Sequence, residues 1–315
     1  MQKEFNNIST YIQQCLASDH ALLQQFAAAV LQHKGKLIRP QLTVLVAGMV
    51  SGGVSEKALR GAAIVALLHH ASLIHDDVID EAQIRRFAPT INTQFGNKAA
   101  VLWGDYILAS ILKFIAVYED YDYLTLFSQT VQDMVEGEMI QLEQVKTGVC
   151  SEERYMQIIE KKTGSLMGMA AMMGAIAADA SPQQQASMYQ VGNMLGIAFQ
   201  LIDDLVDYDR DAATGKMPFM DLKSHRFTLP LLYSLAQAKL ATRKHILSII
   251  ASDAQKADIA TPVCQFINQF GGIAYTQAKI VSYYQTILRM VKSSFPTSDY
   301  QLQLIQLIDQ LFPKG

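Results

Sequence analysis

The sequence predicts an all-α protein, one helical domain over residues 1–315. Three observations carry that reading. Apolar residues recur at helical spacing from end to end, and no stretch sustains the alternation of a strand. The eight prolines fall at apparent element boundaries and not inside periodic runs. No Pro/Gly/Ser-rich linker divides the chain, and no repeat at solenoid spacing is present. With 315 residues, 50% of them hydrophobic and 17% charged, the chain can bury a large core.

Taken in order, Ser18 or Asp19 can cap a helix running towards His33. Gly35 breaks that helix, which leaves Lys36 and Arg39 at the start of the next one, where backbone N–H groups favour anions. The run Ile64 to Ile74 is helical and carries His69 and His70, then His75-Asp76-Asp77-Val78-Ile79-Asp80. A Pro-bearing loop follows at Arg85-Arg86-Phe87-Ala88-Pro89. Ser151 can cap a helix running into Lys162. Gly164 to Ala178, rich in Gly, Ala and Met, reads as a buried helix with close backbone contacts. Ser181-Pro182 and Thr261-Pro262 pair a cap with a first-turn proline. The run Leu195 to Ile202 leads into a second acidic stretch, Asp203-Asp204-Leu205-Val206-Asp207.

The two acidic stretches carry the chemistry. On a helix, residues four apart share a face, so Asp76 lies under Asp80 with Asp77 beside them, and Asp203, Asp207 and Asp204 repeat the arrangement. At about 4 Å and an effective dielectric near 20, each pair of carboxylates repels by roughly 4 kcal/mol. One such cluster could be an ordinary solvated helix face. Two, each flanked by Leu, Ile, Val and Ala, call for neutralisation by hard divalent cations, and an all-oxygen set suits Mg²⁺, which leaves positions open for substrate phosphates.

Composition excludes other classes. A net charge of -3 leaves no basic surplus for nonspecific nucleic-acid binding. Cys15, Cys150 and Cys264 match no metal or redox spacing, and no His-x₃-His pair with a glutamate suggests zinc. The polar N-terminus lacks the order of a signal peptide, and the longest apolar candidate, Gly164 to Ala178, is short for a membrane span. The expectation is a cytoplasmic protein without a transmembrane segment. No Ser-His or Cys-His signature points to a protein nucleophile.

Read together, GKLIRP at Gly35 to Pro40, HHASLIHDDVIDEAQIRR at His69 to Arg86, Gly104-Asp105, Lys162-Thr163, FQLIDDLVDYDRD at Phe199 to Asp211, Gly215-Lys216 and DLKSHRFTLP at Asp221 to Pro230 resemble the all-trans isoprenyl (polyprenyl) diphosphate synthases. The resemblance implies a helical bundle of the isoprenoid synthase type around a deep central cavity, usually a homodimer, and a prenyltransferase acting on isopentenyl diphosphate and an allylic diphosphate. It assigns Asp76, Asp80, Asp203 and Asp207 to the allylic diphosphate through three Mg²⁺ ions, with Asp77 and Asp204 supporting. Arg85 matches the arginine on the allylic diphosphate. Lys36, Arg39, His69 and Arg86 match the residues that hold isopentenyl diphosphate. Lys162, Thr163, Gln200 and Lys216 match the groups around the ionising carbon, and Arg226 stands where the family has a lysine near the allylic diphosphate. Further departures are Leu37 for a basic residue, Phe87 for a glycine, Met217 for a proline, and a C-terminus, Leu311 to Gly315, without a basic tail.

Product length follows from helix geometry. Ser72 and Ala71, four and five residues before Asp76, would face the growing tail, and both are small. The expected product is longer than farnesyl, stopped by a floor such as Ile64, Leu67, Leu68, Ile107 or Ile111. A class I terpene cyclase, or one subunit of a heteromeric synthase, is the alternative. A cyclase needs no second diphosphate site, and its second metal motif is usually not a full DDxxD. A non-catalytic subunit tends to lose its acidic motifs, and a calcium-binding helical protein lacks the loop pattern here.

Overall fold

The computed structural model describes residues 2–32, 37–85, 88–147, 151–208, 222, 226–251 and 259–312. These are helical almost throughout: α1 (Gln2–Cys15), α2 (Ala21–Gln32), α3 (Ile38–Ser51), α4 (Glu56–Ile79), α5 (Ile91–Phe95), α6 (Asn97–Val117), α7 (Asp122–Thr147), α8 (Glu152–Ile159), α9 (Ser165–Ala177), α10 (Pro182–Asp207), α11 (Leu229–Gln237), α12 (Leu240–Ala251), α13 (Ala260–Gln269), α14 (Gly272–Ser294) and α15 (Asp299–Leu311). A π-helical turn, Glu160–Gly164, joins α8 to α9. The predicted helical class holds. What the sequence did not suggest is a small antiparallel hairpin, β1 (Ile84–Arg85) with β2 (Ala88–Pro89). Two residues per strand are too short for any alternation to register.

The start signals are local hydrogen bonds. Ser151 Oγ accepts from the Arg154 N–H at the head of α8. Ser181 and Gln184 cap each other's backbone N–H before α10, a reciprocal capping box with Pro182 in the first turn. Ser18 Oγ accepts from the His20 N–H just before α2. At Thr261-Pro262 the expectation is corrected: α13 begins at Ala260 and its N-cap is Ile259, without a side-chain cap. Pro262 still sits in the first turn, where its missing N–H costs nothing.

The chain forms two compact units, neither of them continuous in sequence. The first comprises Met1–Thr130, Leu166–Gly192 and Lys292–Leu307. Its α4 packs against α1, α3 and α6. Ile64, Leu67, Ile107, Ile111 and Trp103 are fully buried there. By length and composition α4 and α6 could each cross a membrane, and both are longer than the Gly164 to Ala178 stretch expected to be the longest such candidate. About half of each apolar window (50% and 44%) is buried inside the protein.

The small residues of α9 do what their composition suggests. A Cβ on Gly174 would strike the Thr43 carbonyl, and Thr43 Oγ1 in turn donates to the Ala170 carbonyl at 2.8 Å. Backbone, not a flexible side chain, blocks that space. Gly174→Ala is expected to cost about 1–3 kcal/mol, as overpacking does, read as a lower urea midpoint. An unchanged midpoint would show that α3 and α9 separate freely.

The second unit comprises Val131–Ser165, Asn193–Val291 and Ile308–Gly315. It has two apolar clusters, one around Leu222, Leu231, Val263 and Ile267, the other around Tyr155, Leu201, Leu229 and Ile280.

Candidate active site

In the first unit, α4 begins well and ends badly. Ser55 caps it and Glu56 lies in its first turn, both favourable at the positive end of the helix dipole. Its last turn holds Asp76 and Asp77, Asp80 is the C-cap, and no basic residue stands in that turn. Carboxylates at the negative end of a helix are disfavoured by about 0.3–1 kcal/mol each. The Asp80 N–H still bonds the Asp76 carbonyl at 2.8 Å, so the four-residue turn that stacks the two side chains is closed.

Asp77 differs from its neighbours. It is buried, and Arg85 Nε donates to its Oδ1 at 2.8 Å. Burial holds its carboxyl above the ordinary range, with Arg85 pulling down and Asp80 adding an upward push. Thr90 and Asn92, which sequence reasoning missed, complete the end of α4. Asn92 Nδ2 donates to the carbonyls of Asp77 and Ala82, at 3.2 and 3.1 Å, and Thr90 Oγ1 to that of Ala82 at 2.7 Å. Carbonyls left over at a helix end need such partners. The signal was present as a polar Thr-x-Asn directly after Pro89.

Arg39 and His69, predicted to share a ligand, do meet: Arg39 Nη1 lies 3.2 Å from His69 Nε2. Guanidinium can only donate, so Nε2 accepts and the imidazole proton sits on Nδ1. His75 Nε2 approaches the Val101 carbonyl at 3.2 Å and Asp105 at 3.7 Å. Gly104 is what permits this, because a Cβ there would run into the His75 ring. Ala71 is fully buried, while Ser72 is half-buried and donates to the His69 carbonyl at 2.9 Å. Lys36, Arg86 and Lys216 lie outside the described residues, as do Phe87 and Met217.

In the second unit the acidic motif again falls in the last turn of a helix, α10, with no basic residue there. Beside it opens a cavity of about 160 Å³ whose lining includes Lys162, Thr163, Gln200, Asp204 and Arg226. Sequence reasoning had named all five. Glycine makes the convergence possible: a Cβ on Gly196 would meet the backbone of Thr163 and Gly164, and one on Gly164 would meet Asn193. The π-helical turn carrying Lys162-Thr163 therefore rests directly on α10. Turns of this kind often mark functional sites.

Of the two adjacent lysines, Lys161 is held by Asp133 and Glu136 at 2.7 and 2.8 Å, which push its ammonium up to about 12. Lys162 turns to the cavity, paired with Glu138 and donating to Gln141 Oε1 at 3.1 Å. Thr163 Oγ1 donates to Gln200 Oε1 at 3.1 Å, and Gln200 Nε2 to Asp204 Oδ1 at 2.8 Å. The Tyr155 hydroxyl donates to Asp204 Oδ2. Tyr155, Glu138 and Gln141 were not foreseen. Their trace in the sequence is spacing alone: Tyr155 stands two turns before Lys162, and Glu138 and Gln141 are three apart on one helix.

Among the described residues no three His, Cys, Asp or Glu side chains form a ready-made metal chelate. The donors at both helix ends are carboxylate oxygens, and in each motif one carboxylate (Asp77, Asp204) is already engaged by protein donors. That set fits Mg²⁺, which is commonly bound through one or two carboxylates and completed by substrate phosphates and water.

An all-helical fold with an aspartate cluster closing each of two helices defines an enzyme of the isoprenoid synthase type. A family model described as polyprenyl synthetase matches residues 20–267. The chain is 33% identical over 278 residues to the octaprenyl diphosphate synthase of Escherichia coli (strain K12), covering 88% of this chain and 85% of that protein. Its fold matches a decaprenyl diphosphate synthase from Rhodobacter capsulatus with a TM-score of 0.91 at 28% identity, over 98% of this chain and 95% of that one. It also matches a polyprenyl synthase from Caulobacter crescentus CB15, complexed with calcium and isoprenyl diphosphate, with a TM-score of 0.88 at 26% identity, over 98% and 94% of the chains. The chain belongs to the polyprenyl synthetase family. It is a prenyltransferase, a trans-polyprenyl diphosphate synthase.

Proposed function

We propose that this chain joins isopentenyl diphosphate to an allylic diphosphate by a 1′-4 trans condensation, giving a polyprenyl diphosphate longer than farnesyl. The observation that carries the reading is the convergence of Lys162, Thr163, Gln200, Asp204 and Arg226 on one cavity beside the second acidic motif. The octaprenyl and decaprenyl names of the relatives support the product class. Residues 1–315 would work as one catalytic domain, a reading supported by a single family model that runs through parts of both compact units.

Asp76, Asp80, Asp203 and Asp207 would hold Mg²⁺, three ions in all, and the ions would neutralise the departing diphosphate. The calcium and isoprenyl diphosphate in the Caulobacter relative support a divalent cation beside such a ligand. Arg85 would leave Asp77 to clamp the allylic diphosphate, a geometry suited to guanidinium. Lys36, Arg39, His69 and Arg86 would hold isopentenyl diphosphate. The allylic C1–O bond breaks, C4 of isopentenyl diphosphate bonds to C1, and a proton leaves its C2 for an oxygen of the released diphosphate. The carbonyl oxygen of Gln200 and the hydroxyl of Thr163 would set a fixed dipole near the cationic carbon, with Lys162, Lys216 and Arg226 on its leaving group. Preorganised groups of this kind need no rearrangement as charge develops. Isoleucine and phenylalanine in the cavity wall keep water from the cation.

A cytoplasmic homodimer completes the proposal. Leu102 and Val117 on α6 are 67% and 65% exposed, and Val135 and Met139, one turn apart on α7, are 58% and 62% exposed. The exposed pair on α7 supports a cover there, which a second copy would supply.

The test is incubation with isopentenyl diphosphate, Mg²⁺ and dimethylallyl, geranyl or farnesyl diphosphate, with dephosphorylated products sized by mass spectrometry. A ladder ending in one polyprenol longer than farnesol is expected. A cyclic hydrocarbon from the allylic substrate alone, or no turnover with any primer, overturns it.

A further inference from the structure

Resting on the prenyltransferase reading, we propose that Tyr155 is a positioning residue for the second acidic motif, acting through Asp204. Tyr155 is 5% exposed and Asp204 3% exposed, so their hydrogen bond is shielded from water. Asp204 uses both oxygens on protein donors, Oδ2 on the Tyr155 hydroxyl and Oδ1 on Gln200 Nε2. Gln200 is held in turn by Thr163. The hydrogen bonds therefore cross from α8 to the last turn of α10, and from there back to the π-helical turn.

This arrangement addresses a specific problem. The last turn of α10 carries Asp203, Asp204 and Asp207 at the negative end of its own dipole. Before any cation arrives, mutual repulsion and the dipole both favour unwinding. Successive helical residues are about 100° apart around the axis, so fixing Asp204 fixes the direction in which Asp203 and Asp207 point. The donors doing this are neutral. A lysine or arginine there would hold the turn as well, but would also cancel the charge that must draw the cation. A tyrosine hydroxyl and a carboxamide engage Asp204 without adding a positive charge of their own.

Tyr155→Phe removes the hydroxyl and keeps the ring in its apolar cluster with Ile159, Leu201 and Leu229. Outer partners of metal ligands are typically worth about 10–100-fold in affinity or activity. The expected result is a kcat loss in that range and a half-saturating Mg²⁺ concentration raised about tenfold, with KM for isopentenyl diphosphate unchanged. The same Mg²⁺ shift should appear without turnover, in calorimetric titration of the enzyme with inorganic diphosphate at graded Mg²⁺. Asp204→Asn should lose at least as much, because it also removes a charge and disturbs the Gln200 contact, and adding Tyr155→Phe to it should cost little more, because the Tyr155–Asp204 interaction is already gone. A variant that loses thermal stability but keeps wild-type Mg²⁺ dependence in both assays overturns the inference, as do additive losses in the double variant. Absence of turnover and of Mg²⁺-dependent diphosphate binding in the wild type would instead sink the functional reading beneath it.

Discussion

Asp76→Asn and Asp203→Asn should each lower kcat by about 10²–10³-fold, the scale of losing one group aimed at charge that develops in the transition state. The substitution keeps the shape, removes the negative charge and turns one acceptor oxygen into an N–H donor. Both residues lie in the last turn of a helix that has no basic partner in that turn. A neutral side chain there relieves an unfavourable dipole interaction of about 0.3–1 kcal/mol. Activity should therefore fall far more than the stability of the metal-free protein. That disproportion is what separates a functional carboxylate from a structural one. The check is kcat at saturating Mg²⁺ beside the urea midpoint in chelator. Activity within threefold of wild type would remove these aspartates from the reaction. A loss of activity matched by a large loss of stability would make them framework.

Why these residues were legible, and others not, has a physical basis. Asp76, Asp203 and their partners violate the local rule that apolar helices exclude charge, and such violations stand out in a bare sequence. Lys162, Thr163 and Gln200 became readable only in combination, through the resemblance to a family. Tyr155, Thr90 and Asn92 obey every local rule: a tyrosine on an amphipathic helix and polar residues after a proline are ordinary. Their role depends on what lies across the gap, Asp204 in one case and the end of α4 in the other. Arg85 was readable as a phosphate ligand, but its engagement with Asp77 was not, because that contact needs the hairpin to turn the chain back on α4. The glycines behave similarly. The composition of α9 announced close packing, while the dependence of the Lys162-Thr163 turn on Gly196 needed the fold.

The second large effect concerns product length, and burial separates two variants that sequence reasoning treated alike. Ala71 and Ser72 are adjacent on α4, and one to two turns below them lie Leu68, Leu67 and Ile64, with Ile107 and Ile111 on α6, each at most 2% exposed. Ala71 is itself 1% exposed, so a phenylalanine there must displace neighbours, at about 1–3 kcal/mol. Ser72 is only half-buried, so part of a larger side chain there would meet solvent and not packed core. Ser72→Phe should therefore shorten the dominant product by several isoprene units with little change in thermal stability. Ala71→Phe should shorten it as well and lower the melting temperature. In both, addition of the first unit to a short primer should keep a rate near wild type, because the aspartates above are untouched. Polyprenols sized after dephosphorylation, beside a melting curve for each variant, decide the matter. If Ser72→Phe shortens the product and Ala71→Phe changes only stability, the tail passes along the Ser72 side of α4 alone. If neither shortens it, the tail does not run down α4, and these isoleucines and leucines are ordinary core.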